Sequence, residues 1–201
     1  MKRLAAAMII SLIFSICVID YSDFTKTRNS LEEGVLRLHI LANSDSEEDQ
    51  RLKLKVRDAI LEECPYLFVN ADTPDEMMKT AEENSDRIKS VAKRVISENG
   101  KNYDVKCEVV NMHFDTRVYD EITMPEGDYN AVRITIGEAL GRNWWCVMYP
   151  PLCVPPASDP TELSEYFSES EVDMLTKPVK YEAKFKCAEL LEELSEMLTR
   201  E

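Results

Sequence analysis

Leu4 to Ile19 is an apolar run of 16 residues without a charge, placed behind Met1-Lys2-Arg3 and ended by Asp20. A run of that kind is a targeting segment or a buried core helix, and its all-round apolarity at the very terminus behind two basic residues argues against the core helix. The run is shorter than the ~20 residues a spanning helix needs, and its basic start fits a signal h-region. Ser15 and Cys17 are small enough for cleavage, but no Ala-x-Ala is present, and Phe14-Ser15-Ile16-Cys17 is a weak lipobox. A cleaved signal peptide and a retained membrane anchor therefore both remain open. The expected organisation is a targeting segment over 1–22 and a single exported domain over 23–201.

Hydrophobic residues make up 44% of the chain, enough to build a core. Lys and Arg total 24 against 38 Asp and Glu, a formal charge of -14. Such a surface repels phosphate backbones and anionic headgroups, which argues against a nucleic-acid partner and against membrane contact beyond the N-terminal segment. Two histidines and no Cys-x-x-Cys leave no metal-ligand set, and no cofactor motif is present. Cys17 lies in the apolar run, leaving an odd number of cysteines behind it. Cys146 and Cys153 are the disulfide candidates. Cys64, Cys107 and Cys187 sit at core-like positions and read as thiols.

Val35 to Ala42 is short and β-compatible, with Arg37 and His39 on one face and Leu36, Leu38 and Ile40 on the other. Asn43 to Ser46 supply helix caps, predicting a helix from Glu47 to Cys64 that Pro65 stops. A second helix is expected from Thr73 to Asn99. Lys101 to Phe114 and Tyr129 to Gly137 alternate as strands, and Trp144 to Tyr149 is expected to return as a hairpin with the latter. Tyr21 to Glu33 reads as a linker or short helix, Pro155 to Lys180 as an acidic surface segment, and Glu182 to Arg200 as a final helix. The predicted class is α+β: a largely antiparallel sheet of about four strands covered by about three helices.

Two clusters invite a functional reading. The first is Arg37, His39, Asn43, Asp45 and Asp49, where a strand runs into a polar turn. It can be a helix cap with His39 bonded into the turn, a binding surface, or an acid–base pair of His39 and Asp45 in an extracytoplasmic hydrolase acting on envelope material. The second runs from Gly141 to Cys153 and holds Asn143-Trp144-Trp145-Cys146 and Pro150-Pro151-Leu152-Cys153, behind a loop from Gly137 to Asn143 with glycines near both ends. Adjacent strand residues point to opposite faces, so one Trp can enter the core while the other faces outward. Exposed Trp and Pro groups are binding anchors; core packing with a disulfide staple is the alternative.

The stretches Leu36 to Gln50, Lys53 to Asp58, Tyr129 to Gly137 and Asn143 to Cys153 resemble the stage II sporulation protein R family. The resemblance implies an exported signalling protein of sporulation, sent across the forespore membrane into the intermembrane space. There it would activate a membrane-embedded aspartic protease that processes pro-sigma-E, without being an enzyme itself. It also marks His39, Asn43, Ser44, Asp45, Asn143, Trp144, Trp145, Cys146 and Cys153 as motif positions.

Overall fold

A computed structural model describes residues 21–68, 70–71, 73–119, 122–150 and 163–177. The apolar run over 4–19, Pro151, Cys153 and the expected last helix lie outside these residues. No described helix is long and apolar enough to cross a membrane.

The chain divides into two compact units. The larger comprises Glu32–Thr116 and Glu126–Tyr166. Its elements are β1 (Leu36–Leu41), α2 (Glu47–Glu63), a 3-10 turn (Pro65–Phe68), α3 (Pro74–Glu83), α4 (Ser85–Glu98), β2 (Val105–Phe114), β5 (Gly127–Ile136) and β6 (Asn143–Tyr149). The smaller holds the greater part of α1, a helix over 21–34, together with β3 (Arg117–Tyr119), β4 (Ile122–Met124) and α5 (Glu169–Thr176). The class is α+β, as the sequence predicts.

The sheet of the larger unit runs β2-β5-β1-β6. Two of its pairings are antiparallel, and β1 with β5 is parallel, Leu38 opposite Val132 and Ile40 opposite Ile134. The expected hairpin between β5 and β6 is therefore not formed, because β1 lies between them. The reason is visible in burial: Leu36 to Ile40 are buried without a break, on both faces, and a strand of that kind belongs in the interior of a sheet. Leu38, Ile40, Val132, Ile134 and Ile136 are buried, as are Leu52, Val56 and Ile60 of α2 and Ile88, Ala92 and Ile96 of α4; α2 packs on β1 and α4, and α4 on β2.

The helix expected over Thr73 to Asn99 is two helices. Asn84 ends α3 and begins α4; its side chain donates to the Thr80 carbonyl at 2.8 Å, taking up an acceptor at the end of α3. Ser46 caps α2 through the Asp49 amide, and Thr73 caps α3 through the Glu76 amide. In the smaller unit, β3 and β4 pair and α5 packs on β4, burying Ile122, Met124, Met174 and Leu175. Periodicity did not reveal α5 in the acidic stretch, since only eight residues form it. Ser168 and Glu171 start it with a complete capping box.

Leu38 is wholly enclosed, whereas Val118 on β3 is 70% exposed. Leu38→Ala is expected to lower the urea-unfolding free energy by about 2–5 kcal/mol, and Val118→Ala to change it by less than about 0.5 kcal/mol.

Candidate functional site

The parallel strands β1 and β5 end at the same edge of the sheet, so the turn after β1 (42–46) meets the loop between β5 and β6 (137–142). Asp49, in the first turn of α2 and only 5% exposed, joins the two. Its Oδ2 accepts from Asn43 Nδ2 at 2.8 Å and from Ser44 Oγ at 2.5 Å. Asn43 then reaches across: its Oδ1 accepts the Glu138 amide at 3.0 Å and its carbonyl accepts the Leu140 amide at 3.1 Å. The Gly141 amide donates to the Ala42 carbonyl at 3.0 Å, and the Arg142 amide to Asp45 Oδ1 at 2.7 Å. From α2, the buried Lys53 ammonium donates to Gln50 Oε1 at 2.7 Å and to the Arg142 carbonyl at 2.9 Å.

Burial by itself pushes the Asp49 carboxyl up, but the hydrogen bonds from Asn43, Ser44 and Tyr103 and the charge of Lys101 outweigh it. The net shift is downward, so the carboxylate form that these donors need is the stable one. Lys53 is lowered, chiefly by burial and then by the charge of Arg142.

Two glycines make the close approach possible. A Cβ on Gly137, which has φ +57, would stand 2.2 Å from Asn43 Oδ1; a Cβ on Gly141 would stand 2.2 Å from the Ser44 carbonyl oxygen. Between them Ala139 is held at φ 55, in the left-handed region that a residue with a Cβ seldom adopts.

The second cluster spans both faces of the sheet. His39, 3% exposed, stacks on Trp145 with ring centroids 3.7 Å apart and planes 6° from parallel. Trp145 also meets Phe114 edge-on at 4.9 Å. The wholly buried Arg37 guanidinium lies over Phe114 at 4.2 Å and over Tyr129 at 5.0 Å, so two ring faces receive its charge. Neither His39 nitrogen has a partner in full hydrogen-bond geometry. Burial pushes this imidazole down to about 4, the Arg133 charge adds to that, and the Asn143 side chain offsets part of it. The ring is thus neutral at neutral pH.

Trp144 faces the helices instead, where the Arg57 guanidinium of α2 covers its ring at 4.2 Å. Cys146 is buried and disulfide-bonded. Its expected partner, Cys153, lies outside the described residues, as does Pro151. Pro150 is buried and follows Tyr149 through a cis peptide bond. Cys64 and Cys107 are free thiols, pushed by burial to about 11 and about 12.

The structure thus brings Asn43, Ser44 and Asp45 together with the 137–142 loop, and His39 together with Trp145. It does not bring His39 to Asp45: the histidine is in the aromatic stack, and Asp45 accepts from Arg142. Among the described residues no cluster of three or more His, Cys, Asp or Glu is placed to hold a metal ion. The sequence shows Gly137 and Gly141 only as loop glycines, and nothing in it singles out a role for Lys53 or Leu140; the close approach of both glycines to the turn after β1 depends on the pairing of β1 with β5.

Two comparisons place these residues among known proteins. The sequence model described as stage II sporulation protein R matches residues 32–159. A curated protein of that name from Bacillus subtilis (strain 168) is 36% identical over 123 residues. That match covers 61% of this chain and 55% of the relative, so the chain spans about half the relative's length. No solved structure matches the chain.

Gly141→Ala is expected to force the two loops apart and to lower stability by about 1–3 kcal/mol in urea unfolding, since the backbone of Ser44 cannot yield as a side chain would. His39 supplies a pH test. Its folded pKa lies below its unfolded value, so the unfolded state takes up the proton first. Stability from the neutral ring is whole above pH 6.5 and falls as pH drops from there toward about 4. His39→Gln is expected to flatten the unfolding free energy across that window; an unchanged slope would contradict the buried, neutral ring.

Proposed function

The chain belongs to the stage II sporulation protein R family, and from that premise we propose that it is an exported messenger of sporulation. It crosses the forespore membrane, cleaved from or tethered by its N-terminal segment, and binds a membrane-embedded aspartic protease. Binding activates that protease to process pro-sigma-E. One observation carries this reading over the hydrolase alternative: the motif residues engage one another. His39 is neutral and stacked on Trp145, and the Asp45 carboxylate closes the loop on the Arg142 amide. A general base needs its imidazole within reach of a substrate proton, and this one lies in a packed face without a carboxylate to orient it. A surface held rigid by such a network suits recognition, because little ordering is left to lose on binding.

Immunoblots of pro-sigma-E in sporulating cells test the proposal. Deleting the gene is expected to abolish processing, and a chain carrying Asp45→Asn, which retains an oxygen acceptor for Arg142, is expected to restore it. Processing that continues without the gene contradicts the activator role. An exported, folded Asp45→Asn chain that restores nothing would favour carboxylate chemistry.

A further inference from the structure

We infer that Leu140, at the tip of the 137–142 loop, is the apolar anchor by which this chain docks into a pocket on the outward-facing surface of its protein partner. The inference rests on the activator reading above and locates its contact.

Leu140 is 78% exposed, more than Tyr66, Val118 or Tyr166, the other large hydrophobic side chains left open among the described residues. A single exposed leucine is ordinary by itself; what sets this one apart is the backbone that carries it. The backbone amides of Glu138, Leu140, Gly141 and Arg142 all donate to the turn formed by residues 42–45. The Arg142 carbonyl is held in turn by Lys53. Ala139, the residue before the leucine, is kept in the left-handed region, and conformations of that sort persist where surrounding structure imposes them and gather at functional sites. A buried carboxylate, two close-approach glycines and a strained alanine thus fix the direction of one apolar side chain that touches little of its own protein.

The surroundings fit a protein pocket better than a bilayer. Arg142, the cation beside the leucine in sequence, is occupied by Asp45 at 3.5 Å, while Glu138 is exposed. The acidic neighbours Asp45 and Glu138 and the -14 of the whole chain both disfavour approach to anionic headgroups. The fitting occupant is an apolar pocket with a basic or neutral rim on a protein, which a leucine fills and Glu138 borders.

The test uses the full-length chain expressed in sporulating cells that lack the native copy. Leu140→Ser alters no internal contact of consequence, so export and folding are expected to match the unaltered chain. Pro-sigma-E processing is expected to fall about tenfold, as for loss of a central anchor, and Leu140→Met, which refills an apolar pocket, is expected to recover most of it. Full processing by an exported Leu140→Ser chain, in cells where deleting the gene abolishes processing, overturns this contact and leaves the activator reading standing. Processing that survives gene deletion overturns both. Purified chain incubated with phosphatidylglycerol vesicles provides the other arm: binding that disappears with Leu140→Ser would assign the leucine to lipid and overturn the protein pocket, and no binding by either chain supports it.

Discussion

The Asp49 carboxylate accepts from Asn43 and Ser44, and through Asn43 its position determines where the chain after β5 passes. Removing it would leave Asn43 and Ser44 without the acceptor that orients them and the Glu138 and Leu140 amides with a displaced partner. The parallel register of β1 and β5 makes this linkage possible, since it delivers both strand ends to one edge. In an antiparallel pairing of the same strands the turn and the loop would lie at opposite ends. A strand inserted between β5 and β6 thus replaces a tight hairpin with a loop long enough to carry an exposed side chain.

The opposite faces of β1 solve different problems. Leu38 and Ile40 are buried apolar side chains on a strand that packs with α2. Arg37 and His39 are polar residues in the interior with aromatic neighbours: the cation meets the faces of Phe114 and Tyr129, and the neutral imidazole stacks on Trp145. An aromatic face can receive charge, and the residual penalty for the imidazole appears as its lowered pKa. Trp145 thereby stays partly open on a fixed plane, next in the chain to the loop that the Asp49 network holds.

Much of this was legible in the residues. Ser46 and Thr73 marked helix starts, the alternation of Val132, Ile134 and Ile136 marked a strand face, and the adjacent tryptophans did point to opposite sides of the sheet. Pairing order was not legible, because a continuous apolar strand such as β1 is compatible with several neighbours. The break at Asn84 was hidden because α3 and α4 keep an apolar pattern in phase across it. In the site, Asn43, Ser44 and Asp45 were visible as cap-forming residues. Their longer reach, to Glu138 and Arg142, was not: it spans nearly a hundred positions and depends on which strands lie side by side. The acid–base pairing of His39 with Asp45 failed for the same reason. Proximity in sequence placed them together, while the pleat turned His39 into the sheet face and the turn gave Asp45 another donor.

On the proposed activator reading the motif is structural: a charged turn, a loop and an aromatic strand are held together on one edge of the sheet for recognition. Residue-mapped crosslinking of the exported chain to the membrane-embedded peptidase tests that most directly. Photoreactive residues placed singly along the surface are expected to trap the peptidase from positions 138–145. Crosslinks confined to the exposed sides of α2 and α4, with none from that loop and strand, would contradict it.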